Sequence, residues 1–355
     1  MKQTTQRDVA LHAGVSRATV SYVVSPNREA PVAISEKTRQ KVLDAVRELG
    51  YQPDARAQTL ISGTTRIIGI LLPDMRNPHF WELLEAIERR AHVRGYSLLV
   101  YHSALERSQE KFALQELGRR RIDGVVLISS FPPYSADVAD DLGAARRPVV
   151  DLSNVESPFD CVISSYDEGA AEMMEHLFAL GHRRIGFVYG VASPALGRDR
   201  LDAYTEAIRQ RGLPADDKLI VRCGTSAAEG YAAARALLAQ EDRPTAIIAI
   251  NDLIAFSVLR AAADLELAVP RDLSVCGFDN VQASRYAVPR LTTVDRDAGD
   301  VAEAALRLLL SRMNDKSTPR MTARVACRLI ARETTGPAPS ILAPCAGTDR
   351  ALAEP

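Results

Sequence analysis

The chain has 355 residues, of which 46% are hydrophobic and 25% are charged, and its formal net charge is −1. This length predicts two or three domains with sizeable buried cores, and the balanced charge excludes a uniformly basic nucleic-acid coat protein. The charge is uneven, however, because residues 1–60 hold nine Lys and Arg against six Asp and Glu. This asymmetry has the sign expected for an N-terminal DNA-binding module on an acidic body.

Targeting, membrane and cofactor signals are missing from the sequence. The N-terminal segment has no apolar core of signal-peptide length, and no stretch reaches the roughly 18 uninterrupted apolar residues of a membrane span. The five cysteines form no CxxC pair and the six histidines form no HxxxH or HxH pair. We therefore expect a cytoplasmic protein with no membrane attachment, no cofactor, no metal site and no disulfide framework.

Three helical segments are predicted in the first 50 residues. The first, near residues 5–13, is followed by Gly14, and glycine tolerates the left-handed geometry that ends a helix. Ser16 is a suitable N-cap for a second helix that reaches about Val24. The third covers about 36–50 and has a regular apolar stripe.

The second of these helices has two distinct faces. Val20 and Val24 lie four residues apart and are expected to face inward. The opposite face carries Arg17, Ala18, Ser21 and Tyr22. A helix, a tight turn and a second helix with exposed polar side chains is the helix-turn-helix plan, whose second helix enters the major groove of DNA. A three-helix cap that binds no nucleic acid is the alternative.

The same residues resemble the helix-turn-helix signature of the lactose/galactose repressor (LacI/GalR) family. The resemblance is carried by Asp8-Val9-Ala10-x-x-Ala13-Gly14-Val15-Ser16-x-x-Thr19-Val20-Ser21, Ser35-x-Lys37-Thr38-Arg39 and Leu49-Gly50-Tyr51-x-Pro53. It implies an all-α DNA-binding domain over residues 1–52. The implied contacts with a double-stranded DNA operator are Thr5, Ser16, Arg17, Ala18, Thr19, Ser21 and Tyr22. Tyr22 stands where the family usually has an arginine, and the loop 25–34 is longer than in the lactose repressor; both departures bear on the operator sequence.

The segment 53–63 begins with Pro53, which stops the preceding helix. It contains helix formers over only two turns, too few for a stable isolated helix. The resemblance implies a hinge helix here that folds on the operator, with Leu60 as a minor-groove wedge and Ala57 allowing close backbone approach. An apolar wedge between base steps kinks DNA. A plain linker is the alternative.

From residue 64 to about 333, short apolar runs alternate with amphipathic helices. Such strands imply parallel sheets covered on both faces by helices. Because about 270 residues are too many for a single sheet of this kind, two doubly wound lobes are predicted. The predicted strands are Ile67–Leu72, Leu98–Tyr101, Gly124–Ile128, Val149–Leu152, Cys161–Ile163, Ile185–Tyr189, Ala246–Ile250 and Ser274–Phe278. The segment 334–355 is rich in Pro, Ala and Gly and is expected to be a disordered tail.

Ligands of doubly wound folds bind beyond the carboxyl ends of the strands. The polar and aromatic residues that follow these strands are Asp74, Asn77, His79, Phe80, Arg200, Asn251 and Asp279. Carboxylates and amides bind hydroxyls, arginine forks onto oxygens, and aromatic faces stack on C–H surfaces, which together suit a polyhydroxylated or heterocyclic ligand. Structural alternatives are that Asp74 or Asp279 caps a helix and that Arg200 forms a surface ion pair. Phe80 and Trp81 are alternatively core residues.

The LacI/GalR resemblance continues through this region. Its motifs are Asp74-x-x-Asn77-Pro78-x-Phe80, Leu180-Gly181-His182-Arg183-Arg184-Ile185, Asn251-Asp252, Val275-x-Gly277-Phe278-Asp279-Asn280 and Pro289-x-Leu291-Thr292-Thr293-Val294. It implies an effector-binding and dimerisation domain over residues 64–333, related to periplasmic sugar-binding proteins, whose effector is a sugar or sugar derivative. His79, Ser164 and Thr225 depart from residue types common in the family.

We predict a sequence-specific transcriptional regulator, a repressor, that binds a palindromic operator as a homodimer, since one three-helix module offers too little surface for specificity. An effector between the lobes would control the hinge and thereby operator affinity. Two rivals remain: a sugar-binding or sugar-modifying α/β protein with a fused DNA module, and a solute-binding protein. No catalytic constellation supports an enzyme, and the missing export signal disfavours a solute-binding protein.

Overall fold

A computed structural model of the protein describes residues 4–24, 34–52, 63–131, 136–142, 147–193 and 195–339. The chain divides into two compact units, Met1–Thr65 and Arg66–Pro355. The predicted hinge helix, with Ala57 and Leu60, lies outside the described residues.

The first unit consists of three helices around a small apolar core. They are α1 (Gln6–Ala13), α2 (Arg17–Val24) and α3 (Glu36–Glu48). Their buried side chains are Val9, Ala10, Val20, Val23, Val42 and Ala45. Val20 is buried and Val24 packs partly buried against this core, so the inward face predicted for α2 is confirmed; Val23, three residues from Val20, is buried with them.

The second unit contains two six-stranded sheets with helices on their faces. The first lobe has strand order β11-β5-β4-β3-β1-β2 and the second β12-β10-β9-β8-β6-β7. The strands are β1 (Ile67–Leu72), β2 (Ser97–His102), β3 (Gly124–Leu127), β4 (Val149–Asp151), β5 (Asp160–Ser164), β6 (Ile185–Gly190), β7 (Ile220–Cys223), β8 (Ala246–Ala249), β9 (Ser274–Phe278), β10 (Thr292–Asp295), β11 (Thr322–Val325) and β12 (Arg328–Ile330). The helices are α4 (Pro78–Val93), α5 (Arg107–Arg119), α6 (Ala136–Leu142), α7 (Tyr166–Ala179), α8 (Arg198–Gln210), α9 (Ala227–Leu238), α10 (Asp252–Asp264) and α11 (Ala298–Asn314).

The eight predicted strands are all present, and the prediction of two doubly wound lobes is confirmed. Sequence reading missed four strands, β7, β10, β11 and β12. They span only three or four residues each, and β7, β11 and β12 lie at sheet edges, where exposed positions weaken the apolar pattern. Only β12 pairs antiparallel, with β10.

The chain crosses between the lobes three times. It leaves the first lobe after β5 and enters α7, returns between β10 and α11, and leaves again between β11 and β12. Helix α11 packs on α4 and on first-lobe strands, whereas α7 packs on β10 and β12. Each lobe is therefore built from segments that are distant in the sequence.

The disorder predicted from Thr334 onward is wrong for residues 334–339. Thr334 is fully buried; its hydroxyl donates to the Val275 carbonyl at 2.6 Å and accepts from the Thr292 amide at 2.8 Å. The Ala338 amide donates to the Leu180 carbonyl at 2.8 Å. Composition indicated disorder, but these tertiary hydrogen bonds fix the segment on the second lobe; residues 340–355 lie outside the described ones.

Candidate functional site

The predicted DNA-contact residues cluster around α2 and the starts of helices. Arg17 and Ala18 are exposed, whereas Thr19, Ser21 and Tyr22 are half-buried. A forked cation at the N-terminal end of an exposed helix is suited to contact base edges or phosphates.

Two of the predicted DNA-contact residues, Thr5 and Ser16, also cap the N-terminal ends of helices. Thr5 forms a capping box with Asp8, whose carboxylate accepts from the Thr5 amide at 2.8 Å. Ser16 Oγ accepts from the Thr19 amide at 3.1 Å and so caps α2. These side chains fix where the helices begin and hence how α2 is presented.

All seven predicted effector residues line one cavity between the lobes of the second unit. Its volume is about 150 Å³. The lining includes Asp74, Asn77, His79 and Phe80 from the first lobe, and Arg200, Asn251 and Asp279 from the second. The structure thus brings together residues separated by more than 200 positions in the sequence, because the loops after parallel strands meet at one edge of each sheet.

Asp279 is the centre of a buried polar cluster. Its Oδ1 accepts a hydrogen bond from the Tyr166 hydroxyl at 2.7 Å and lies 3.7 Å from His79 Nδ1. The backbone φ of Asp279 is +100°, a conformation that side-chain-bearing residues rarely adopt. Backbone strain of this kind is common where a side chain is aimed at a ligand.

Burial and the neighbouring cations set the protonation of this cluster. Burial, reinforced by Arg296, lowers the pKa of His79 to about 3, so the imidazole is neutral at pH 7. Burial opposes the ionisation of Asp279, yet its charged neighbours outweigh burial and hold its pKa below the usual value. Since His79 is neutral, the two arginines, Arg296 and Arg200, supply the positive charge that keeps Asp279 ionised.

Arg200 is held from several sides. Its Nη1 donates to the Ile250 carbonyl at 3.0 Å, and its Nε lies 3.5 Å from Asp199 Oδ1. Its guanidinium lies 4.3 Å from the ring centroid of Tyr166. Since its side chain is only 13% exposed, the alternative of a surface ion pair is wrong.

Asn77 and Asn251 each begin a helix beside the cavity. Asn77 Oδ1 accepts from the His79 amide at 3.0 Å, and Asn251 Oδ1 accepts from the Ile254 amide at 2.9 Å. With the oxygens used in capping, the side-chain NH₂ groups are left as donors for a ligand.

The remaining alternatives have definite outcomes. Asp74 is no helix cap: its Oδ1 accepts from the amide and the Nε of Arg76, at 2.9 and 3.0 Å. Asp279 is no cap either, because its carboxylate faces Tyr166. Phe80 both lines the cavity and packs on the first-lobe core, whereas Trp81 is 46% exposed and is not a core residue.

Among the ionisable and aromatic residues that line the cavity, sequence reasoning missed Tyr166 and Arg296. Both lie where the chain crosses between lobes, Tyr166 at the start of α7 and Arg296 just after β10. The signal for Arg296 was its place two residues beyond the motif that ends at Val294.

No group of three or more His, Cys, Asp or Glu side chains that could hold a metal ion occurs among the described residues. Nor is any helix in the described ranges long and apolar enough to cross a membrane.

A helix-turn-helix unit in one chain with a two-lobed α/β unit defines a DNA-binding transcriptional regulator. The sequence profile of bacterial regulatory proteins of the lacI family matches residues 5–54, and that of a periplasmic binding protein-like domain matches residues 174–335. The chain belongs to the LacI family, since it is similar over nearly its whole length to family repressors.

Among these relatives is the HTH-type transcriptional repressor PurR of Yersinia pestis bv. Antiqua, 33% identical over 94% of this chain and 98% of the relative. PurR of Mannheimia succiniciproducens is 31% identical over 93% and 98%. The solved lac repressor dimer bound to operator and the anti-inducer ONPF is 28% identical, with a TM-score of 0.80 over 94% of this chain and 100% of that one. A LacI family regulator from Enterococcus faecium with bound ribose is 27% identical, with a TM-score of 0.69 over 76% and 99%.

Proposed function

We propose that this regulator is a repressor that binds a palindromic operator as a homodimer and is controlled by a small-molecule effector, a sugar or sugar derivative. The observation that carries the proposal is an interlobe cavity that all seven predicted effector residues line, in a chain that also contains the helix-turn-helix unit. The repressors named above and the ribose-bound regulator support it by analogy. We assign the chain to the cytoplasm and give it no enzymatic step.

In the DNA-bound state, α2 enters the major groove, where Arg17 and Tyr22 face the bases. Thr5, Ser16, Ala18, Thr19 and Ser21 are assigned to the surrounding backbone and base contacts. Tyr22 donates one hydrogen bond or contacts a thymine methyl, but it cannot fork onto guanine as arginine does. Ala57 and Leu60 are assigned to the minor groove at the centre of the operator.

In the second unit, the effector contacts residues of both lobes at once. Binding therefore favours one relative orientation of the lobes, and by linkage the effector and the operator change each other's affinity by the same factor. The homodimer is supported by large apolar side chains left exposed in this unit, Val93 (80%), Tyr286 (75%) and Val288 (97%).

The test is selection of bound sites from random DNA by the full chain, with and without pooled sugars and nucleobases. We expect a palindromic site whose occupancy changes with one pool, and the direction of change distinguishes induction from co-repression. Failure to enrich any palindrome at low salt, with the dimer verified by sedimentation, would contradict the proposal.

Arg17→Ala is the matching variant for the DNA contact. It should cost about 1–3 kcal/mol at the selected operator and relax base preference at one position. Arg47→Ala is the control, because Arg47 lies on α3 and forms a salt bridge there with Asp44. Equal losses for both variants would show that α2 is not the reading helix.

A further inference from the structure

Arg296 stands at the second crossing between the lobes, directly after β10, and it lines the cavity. The residue is only 6% exposed. Its guanidinium carbon lies 5.9 Å from the ring centroid of Tyr166, the ring that Arg200 also faces. Two guanidinium groups therefore approach the same aromatic ring inside one cavity.

Among the described residues, Arg296 has no ion pair, and its buried Nε has no hydrogen-bond partner. Arg200 Nε also has no hydrogen-bond partner, but Arg200 has an ion pair with Asp199, and two other shielded arginines are hydrogen-bonded. The Arg312 guanidinium donates to both carboxylate oxygens of Asp160 at 2.6 and 2.8 Å, and Arg332 Nη1 donates to the Leu291 carbonyl at 2.7 Å. Arg296 is thus a buried cation left without the partner that burial ordinarily demands.

The other charges of the cavity are already engaged. Asp74 is paired with Arg76, and the Asp279 carboxylate accepts the Tyr166 hydroxyl. Arg200 has Asp199 beside it. What the cavity still offers is a set of donors: the Arg296 guanidinium and the side-chain amides of Asn77 and Asn251. Such a set suits a ligand that brings acceptors and negative charge.

We propose that the effector carries a carboxylate, as in an aldonic or uronic acid, and that Arg296 binds this group. The inference rests on the proposed function, because it assigns the effector to this cavity. The Arg296 guanidinium has no ion pair and no Nε partner among the described residues, and its fork matches the planar carboxylate. A phosphate dianion would bring a second negative charge close to Asp279, which costs more electrostatic free energy than a carboxylate does. The cavity of about 150 Å³ also restricts the ligand to a small molecule.

The first experiment needs no ligand. In sugar-free buffer, Arg296→Met should lower the melting temperature of the protein less than Arg312→Met does, because Arg296 forms no ion pair within the described residues, although it helps to keep Asp279 ionised. Arg312→Met should lower the melting temperature, because it strands the buried Asp160 carboxylate. A fall with Arg296→Met as large as that with Arg312→Met would show that Arg296 is a structural residue and would overturn the inference.

The second experiment measures binding by calorimetry and by the fluorescence of Trp81, the single tryptophan, which follows Phe80 of the cavity. The probes are gluconate, galactonate, ribonate, glucuronate and galacturonate, each beside its neutral parent sugar and the 6-phosphates of glucose and galactose. At least one acid should bind about 100-fold tighter than its neutral parent. Arg296→Met should abolish that preference, and Arg307→Gln, an exposed arginine on α11, should keep it.

Three outcomes reject the inference: a neutral sugar binds most tightly, a phosphate ester is preferred, or no acid of the panel binds. Operator occupancy separates this failure from that of the proposed function. If a neutral pool changes occupancy and no acid does, the proposed function stands and the carboxylate is wrong. If an acid binds through Arg296 but no operator is found, the inference stands and the proposed function fails.

Discussion

The two walls of the cavity differ in charge. The first-lobe wall presents an amide from Asn77, a neutral imidazole from His79 and the ring of Phe80, and its carboxylate Asp74 is paired with Arg76. The second-lobe wall presents the ionised groups Arg200 and Asp279. From this difference we predict that the second lobe anchors a polar ligand, whereas the first lobe covers it and excludes water. Substitutions in the second-lobe wall should therefore reduce effector affinity more than substitutions in the first-lobe wall.

The largest effect is expected for Arg200→Ala. It removes a guanidinium that a carbonyl and a carboxylate hold on the second-lobe wall, and effector binding should fall by about 3 kcal/mol, roughly 100-fold. The measurement is calorimetric titration with whichever pool component changes operator occupancy. Arg198→Ala on the same helix is the control, since Arg198 pairs with Asp202 at the surface. An unchanged affinity would place the ligand elsewhere.

A second variant tests how much buried hydrogen bonds contribute to the stability of the second lobe. Buried His182 contacts Thr245 Oγ1 at 2.9 Å through Nδ1, and the Gly336 carbonyl at 3.0 Å through Nε2. Because a carbonyl only accepts, Nε2 carries the proton. His182→Ala should lower the free energy of unfolding by about 2–3 kcal/mol, measured by urea denaturation, since it leaves buried partners unsatisfied. His102→Ala, at an exposed position, should have no comparable effect.

The neutral imidazole of the first-lobe wall predicts a pH dependence. The folded-state pKa of His79, about 3, lies below the ordinary value of 6.5, so the unfolded chain takes up the proton first as pH falls. Stability is therefore present above pH 6.5 and is lost on acidification, by about 2 kcal/mol between pH 7 and pH 5. In His79→Gln this part of the loss should disappear, as urea denaturation at both pH values would show. An identical slope in the two proteins would mean that folding does not lower the pKa of His79.

The smallest effect is expected for Phe80→Ala, which thins the apolar cover without touching a charge. Effector affinity should fall by about 1 kcal/mol, less than for Arg200→Ala. Trp81→Phe is the matched aromatic control, because Trp81 does not line the cavity. If Phe80→Ala costs as much as Arg200→Ala, the division of the walls into anchor and cover is wrong.

The strand-end loops of both walls were predictable from the sequence because carboxyl ends of parallel strands share an edge. That argument placed Asp74, Asn251 and Asp279 around one site. The same argument did not place Tyr166 and Arg296 at the site, since periodicity shows that a strand precedes a helix but not that the two belong to different lobes. The ordered position of Thr334 was not predicted, because composition carries no information on the buried groups that hydrogen-bond to it.

The three crossings also have a consequence for synthesis on the ribosome. The first lobe begins at β1, yet its core includes Val301, Leu306 and Leu309 of α11, and its edge strand β11 ends at Val325. The lobe whose sequence emerges first is thus completed almost last, after most of the second lobe has emerged. A nascent chain that stops short of α11 leaves part of one face of the first-lobe sheet, beside α4, uncovered and prone to aggregate, however much of the cavity it already encodes.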